Sequence, residues 1–530
     1  MKKIKIDYSK QIFIFQHDKY IQQSEYLDLI SIPCSIYNKK TKNVEVPFWM
    51  ISEVESKAGK YDYQYDIFDT GLLRFDIDAI LLSSLETESN CLLLSNPETE
   101  YLPFQKAAIV TARGRKNILI ADEMGLGKTV EAIGILNDDI NINKVLIVCP
   151  ASLKLNWKKE LEAWLVGHHN IQIIDKKFIL GDVSIINYAK LKKYAADLNK
   201  LDFDAVIFDE SHYLKSAKAI RTKLCFGSRK VIHADRRIFL TGTPILNRPI
   251  ELFPLLRECG VEKNWKRFVK TFCDAKEINV WHGYGQKTTV LDVSGSSNEG
   301  QLQKILRSTI MIRRIKTDVL PQLPKKIRQI VCLPENGSIK QVKKERMQFA
   351  EAMLQPNMAL SISTLSEIRR ENALKKIKFA KQYIDNLLEQ KEKVVIFAWH
   401  LEVIEELRKA LLDYNPLIIT GKTSLENRDK AVEKFQNGDN KILLGNLKAA
   451  GTGLTLTAAS DVVFLEMDWT PGINNQAEDR IHRIGQNEVC HIHYLVYDGT
   501  VDAYIAKKVS EKKKVIDSIT NISLLGCLEV

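Results

Sequence analysis

The sequence predicts an α/β protein: two parallel-sheet units, helical insertions between them, and a small N-terminal domain. From about 101 to 250, short apolar runs (NILIAD, KVLIVCP, VSIINY, DAVIFDE, RRIFLTGTP) alternate with amphipathic helical stretches. That alternation marks a parallel sheet covered on both faces. A second alternation starts near 393 with KVVIFAWH and continues through PLIITG, KILLGN, DVVFLEMD and CHIHYLVYD. The first strand of the first unit opens into ADEMGLGKT at 121–129, a glycine-rich turn leading into a helix.

Taken in order, residues 1–95 form an accessory region without a nucleotide motif. Strand-like runs (QIFIF, SIPCSIYN, VEVPFWM) surround a KKTKN turn. Its basic clusters (Lys2, Lys3, Lys5; Lys39, Lys40, Lys42) and aromatics (Tyr37, Phe48, Trp49) fit contacts to nucleic acid, or a small core. Residues 96–250 make the first unit. The stretch 251–390 is predicted largely helical, with SIKQVKKERMQFAEAM as an amphipathic example and a glycine-rich insert, GYGQKTTVLDVSGSSNEG. Residues 391–515 make the second unit, and 516–530 a tail.

Composition sets bounds. A chain of 530 residues has room for about three or four domains. A 45% hydrophobic and 27% charged composition fits a soluble globular protein. The net charge of +11, from 77 basic against 66 acidic residues, points weakly to a polyanionic partner. Nine scattered cysteines with no C-x-x-C pair argue against a zinc ribbon or disulfide scaffold. They fit a reducing compartment: the cytoplasm of a bacterium or virus-infected cell, or the nucleus of a eukaryote. His491 and His493 share a strand face without adjoining ligands, which predicts structural histidines. No apolar run approaches the ~20 residues that span a membrane, and no signal peptide is evident.

The chemistry-bearing residues start in the glycine loop. Gly125 and Gly127 let backbone N–H groups approach phosphates, and the following helix adds its dipole. Lys128 is expected on the β/γ-phosphates and Thr129 on Mg²⁺. Asp122 stands where the generic phosphate-loop pattern has glycine. About 80 residues on, FDESH at 208–212 ends an apolar strand in two carboxylates. Asp209 is placed to hold Mg²⁺ and Glu210 to polarise a water. Alone, the loop also fits an ordinary turn, and the acid pair a solvated strand end; their combination favours nucleotide hydrolysis. In QAEDRIHRIGQ at 476–486, helical spacing puts Gln476, Arg480 and Arg483 on one face. That face could offer two guanidiniums to a phosphate, or form an exposed salt-bridged helix with Glu478 and Asp479.

Together these segments resemble the SWI/SNF-type superfamily-two helicase-like ATPases, a group of double-stranded DNA translocases. The markers are DEMGLGKT (122–129), DESH (209–212), LTGTP (240–244), RRIKTDVLPQLPKK (313–326) and QAEDRIHRIGQ, and the likeness covers about 100–510. SGSSN (294–298) and GTGLTLTAASDVVF (451–464) bring the chain nearest the HepA-related annealing-helicase subfamily. Lys448 and Ala450 stand where many remodelers have arginine and glycine. IYNKKTKNVEVPFWMI (36–51) faintly resembles the short DNA-binding module of that subfamily.

The resemblance implies two RecA-like lobes with ATP at their cleft. Lys128, Asp209 and Glu210 would act from the first lobe, and Arg480 and Arg483 as arginine fingers from the second. It implies that Gln105, in YLPFQ, reads adenine, and that Asp122, Gly453 and Gln476 belong to the nucleotide side. Cofactors would be ATP and Mg²⁺. The partner would be duplex or forked DNA, held largely through its backbone, with Ser152, Lys154, Trp399, His400, Thr423 and Lys448 as contacts. A monomer serving replication or repair proteins is expected. The implied activity is DNA-dependent ATP hydrolysis with translocation that remodels or reanneals branches. Displacement of DNA-bound protein such as RNA polymerase, and a non-hydrolysing DNA-binding scaffold, are the alternatives.

Overall fold

The computed structural model describes residues 2–509, leaving out 66–82, 334–357 and scattered shorter stretches such as 8–11, 18–20 and 451–452. Lys39, Phe48, Trp49, the segment SIKQVKKERMQFAEAM and the 516–530 tail lie outside the described residues.

The N-terminal strands are β1 (Lys2–Asp7), β2 (Ile12–His17), β3 (Ile36–Asn38), β4 (Asn43–Pro47) and β5 (Gln64–Tyr65). They form one sheet in the order β3-β4-β2-β1-β5. Alternation explains the main pair: Ile4, Phe13, Phe15, Val44 and Val46 point inward and are fully buried. β1 was missed because its lysines disguise the alternation. Helices Gln23–Leu29 and Ile51–Tyr61 cover the sheet. Lys2 is no free cation: its ammonium lies 2.8 Å from Glu25. Tyr37 is half-buried, edge-on to Tyr26 with centroids 5.1 Å apart. The apolar core of this region is continuous with that of the first lobe.

The first lobe holds β6 (Asn117–Ile120), β7 (Val145–Cys149), β8 (Ile171–Ile173), β9 (Val183–Asn187), β10 (Asp202–Asp209) and β11 (His233–Leu240). A hairpin of β12 (Lys276–His282) and β13 (Gln286–Asp292) follows, then the short β14 (Met311–Ile312), which returns to the sheet. Among the described residues the sheet runs β14-β6-β11-β10-β7-β9-β8 with parallel pairings throughout. β7 and β9 are buried at every position because helices cover both faces.

The second lobe holds β15 (Lys326–Cys332), β16 (Val394–Ala398), β17 (Leu417–Ile419), β18 (Ile442–Asn446), β19 (Asp461–Phe464) and β20 (Cys490–Val496). Their order is β15-β20-β19-β16-β18-β17, again parallel. Each lobe is thus an α/β unit of RecA type. The stretch 251–390 is less helical than expected. Ile278 opposite Val290 and Asn279 opposite Thr289 pair β12 with β13, and β15 is an edge strand exposed or half-exposed at every position, which hid its period. His493 is a structural histidine: it is buried, with Nε2 2.8 Å from Asp461.

Candidate nucleotide site between two lobes

The strand order brings the motifs together. β6, β11 and β10 are neighbours, so the glycine loop, TGTP and the Asp-Glu pair emerge side by side at the carboxyl ends of the strands. That is where open parallel sheets bind ligands. Gly125 and Gly127 have φ of 84° and 85°, a region closed to most L-residues. Gly127 precedes the helix Lys128–Asp138, on which Thr129 occupies the first turn. The Lys128 ammonium is held in the loop by the carbonyls of Asp122 (2.8 Å) and Glu123 (3.2 Å). Burial pushes it down, and the nearby Glu210 opposes that. Gly242 of TGTP leaves space beside the same lysine: a Cβ there would lie 2.3 Å from Met124 Cγ and 3.2 Å from Lys128 Nζ.

At the end of β10, Asp209 receives an indole N–H from Trp157 (2.7 Å), and its Oδ1 accepts from the Glu210 N–H (2.8 Å). Burial and the adjacent Glu210 charge push its carboxyl up to about 7. A bound cation would relieve that repulsion. Glu210 adopts φ 49°. Burial opposes its charge, but His212, Lys128 and Arg480 outweigh that and hold it below the usual carboxylate range. His212 Nδ1 lies 3.1 Å from both Glu210 and Thr241, linking the acid pair to TGTP. His212 is the last residue of the DESH motif, whereas Trp157, after the β7 strand, carries no motif signal.

Asp122 does not face the cleft. It is fully buried, accepts the Arg314 N–H (3.0 Å) and pairs with the Arg314 guanidinium (3.5 Å). Gln105 is buried too: its Oε1 accepts from Leu102 N–H (3.0 Å), and its Nε2 donates to the Leu126 carbonyl (3.1 Å). Its amide braces the loop from behind.

The arginine segment corrects one expectation. The helix Pro471–Glu478 stops before Arg480, so Gln476, Arg480 and Arg483 do not share a helix face. The Arg480 carbonyl accepts from the Leu456 N–H (2.9 Å), fixing a turn instead. Both guanidiniums still converge, donating to the Leu454 carbonyl at 3.2 Å and 3.0 Å. Arg483 lies against the glycine loop: a Cβ on Gly125 would be 2.7 Å from its Cβ. Burial, and then Arg483 beside it, push Arg480 down to about 10. Two guanidiniums crowded on one carbonyl, with the base of the Arg483 side chain against the loop, make a setting for an anion. Gln476 reaches lobe one, its Nε2 3.4 Å from Thr243. Gly453, φ 75°, packs on Leu153, where a Cβ would approach to 2.4 Å.

The exposed salt-bridged helix is not what forms: Glu478 and Asp479 are buried, and their partners come from other segments. Glu478 pairs with Lys326 (3.0 Å) and Arg328 (2.5 Å), and Asp479 with Lys316 (2.9 Å) and Lys326 (2.8 Å). Burial notwithstanding, Lys316 and Lys326 hold Asp479 well below the carboxylate range. RRIKTDVLPQLPKK is therefore a strap. Arg313 and Arg314 bind the loop side of lobe one, Lys316 N–H donates to Glu123 (2.7 Å), and Lys316 and Lys326 grip lobe two. Asp479→Ala takes the carboxylate from the buried Lys316 ammonium, while Lys326 keeps Glu478, and should cost about 3–5 kcal/mol. Lys316→Met leaves Asp479 its Lys326 partner and should cost about 1–3 kcal/mol. Urea unfolding of both variants checks that order.

A second cleft, of about 1010 Å³, opens between the lobes. Ser152, Thr423 and Lys448 line it from both sides, together with Lys192, Arg221 and Arg428. The Arg428 side chain is buried, and its Nε has no hydrogen-bond partner among the described residues. Other expected contacts do not reach this cleft. Lys154 is buried, 3.3 Å from Asp175. Both His400 ring nitrogens are engaged, by Glu466 (2.6 Å) and Ser366 (3.1 Å). Trp399 is half-buried, with the Lys448 ammonium 4.3 Å over its ring.

Two family models agree with this architecture. The SNF2-related domain matches residues 48–396 and the helicase conserved C-terminal domain residues 375–485. The chain is 36% identical to the human DNA annealing helicase and endonuclease ZRANB3, over 83% of this chain and 42% of that protein. It is 34% identical to the SWI/SNF-related matrix-associated actin-dependent regulator of chromatin subfamily A-like protein 1 of Xenopus tropicalis, over 84% of this chain and 47% of that one. The chain thus spans under half the length of these relatives. The Sulfolobus solfataricus SWI2/SNF2 ATPase core in complex with dsDNA is 21% identical, TM-score 0.40, covering 82% of this chain and 100% of that one. With a family model matching well over half its length, the chain belongs to the SNF2-related family of helicase-like ATPases.

Proposed function

We propose that the protein hydrolyses ATP between its lobes and uses the cycle to move on duplex or forked DNA, remodelling or reannealing branches. The observation that carries this is Arg483 of the second lobe lying on Gly125 of the first. Phosphoryl transfer spreads charge over the γ-phosphoryl oxygens, and cations from both lobes meet that need. Gly125, Gly127 and Lys128 would bind the phosphates. Glu210, kept ionised by its neighbours, would take a proton from the attacking water. Mg²⁺ would neutralise phosphate charge, with Thr129 and Asp209 as the residues suited to hold it; the crowded Asp209 carboxyl fits a cation ligand.

The DNA half of the reading rests on the second cleft. Ser152 and Lys192 come from one lobe and Thr423, Lys448 and Arg428 from the other, so lobe closure would shift two grips on a backbone relative to each other. Hydroxyls, lysines and arginines contact phosphate without reading sequence. The likeness to the DNA annealing helicase and endonuclease ZRANB3 supports reannealing as the outcome. The test is turnover with plain duplex, forked duplex, single strands and RNA at several salt concentrations, alongside closure of an unpaired bubble. Duplex and fork should stimulate most, RNA least, and stimulation should fall steeply with salt as counterion release dictates. Equal stimulation by RNA and duplex would sink the assignment.

A further inference from the structure

We propose that the groove between the N-terminal sheet domain and the helix Trp265–Phe272 binds an unpaired DNA strand. The groove encloses about 1240 Å³. One wall is Tyr26, Leu27, Ile36 and Tyr37; the other is Lys263, Trp265, Lys266 and Lys270. Arg267 holds the walls together: its guanidinium grips Glu262 (2.7 and 2.9 Å) and donates to the carbonyl and hydroxyl of Ser35. The groove is therefore a built feature shared by two domains.

Its chemistry selects the occupant. Among the described residues no acidic one lines it. Lys263, Lys266 and Lys270 are exposed, and none forms an ion pair among the described residues. Lys266 and Lys270 stand one helical turn, about 6 Å, apart on the same side. Between these cations and the opposite wall lie apolar surfaces that a folded protein usually covers: Trp265 is 42%, Leu27 53% and Ile36 40% exposed. Phosphates suit the lysines, and base faces suit the indole and the aliphatic wall. An unpaired strand offers both together, whereas pairing hides the base faces in a stack. A duplex backbone would leave Trp265, Leu27 and Ile36 without a counterpart.

The groove is separate from the motor, so either reading can fail without the other. The test uses the full chain without nucleotide and a fluorescent oligothymidine of about 16 nucleotides. Combined Lys263→Glu, Lys266→Glu and Lys270→Glu should weaken binding at least about tenfold and flatten the logarithmic salt dependence by about 2, at roughly 0.7 per phosphate contact. Trp265→Ala should weaken binding about tenfold with the salt slope kept, and Trp265→Phe should restore most of it. Ultraviolet crosslinks from 5-iododeoxyuridine in the strand should map to the peptide carrying Trp265. Turnover stimulated by blunt duplex should be unchanged in all variants, and their unfolding temperatures should match wild type because the altered side chains are exposed. Unchanged oligothymidine affinity, or crosslinks confined to the inter-lobe cleft, would overturn the proposal. So would an acidic peptide whose binding, unlike that of oligothymidine, is lost in these variants.

Discussion

Lys128→Ala should abolish ATP turnover and weaken nucleotide binding together. The ammonium is enclosed by the loop itself, held by two of its carbonyls. Without it, phosphate charge would face the backbone N–H groups alone. Glu210→Gln should behave differently. It removes the charge that His212, Lys128 and Arg480 sustain, yet leaves Asp209 and its Trp157 hydrogen bond in place. Nucleotide affinity should stay near wild type while turnover is lost. Fluorescent-nucleotide titration beside steady-state hydrolysis separates the two cases, and near-normal turnover in Glu210→Gln would remove Glu210 from the base role.

Arg483→Ala should lower kcat by about 10³-fold or more, the scale associated with an arginine finger. In the structure its guanidinium rests on Leu454 O and Thr455 Oγ1 of its own lobe, 3.0 and 2.9 Å away. Those are neutral acceptors, so release toward a phosphoryl oxygen exchanges weak partners for a charged one. Duplex affinity should be mostly kept, because the second inter-lobe cleft does not include Arg483. Arg480→Ala should also lower kcat, with a loss of stability that Arg483→Ala lacks, since Arg480 is buried and bonds Gln476 O and Leu454 O. An unchanged kcat in Arg483→Ala would reduce the segment to a structural element.

Much of the fold was legible because the lobe strands are apolar at nearly every position and the loops between them carry their chemistry in consecutive residues. Loop, Asp-Glu pair and TGTP needed only local reading. What escaped depends on partners distant in sequence. Lys154 is separated from Asp175, and His400 from Glu466, by chain that folds back, so a free-looking cation and imidazole are in fact spent. The end of the helix at Glu478 is set by Leu456 and by the strap lysines. RRIKTDVLPQLPKK was conspicuous as a motif, but its bridging of Glu123 to Asp479 is a property of three segments together. The hairpin of β12 and β13 was hidden by its glycine-rich surroundings.

The most direct test of the central claim is steady-state ATP hydrolysis by the full chain with and without blunt duplex DNA, at fixed low salt. If the two lobes form one motor switched on by duplex, turnover should rise many-fold on adding DNA and return to the basal rate when salt is raised. Turnover that is the same with and without duplex, in a chain shown to bind it, would contradict the account.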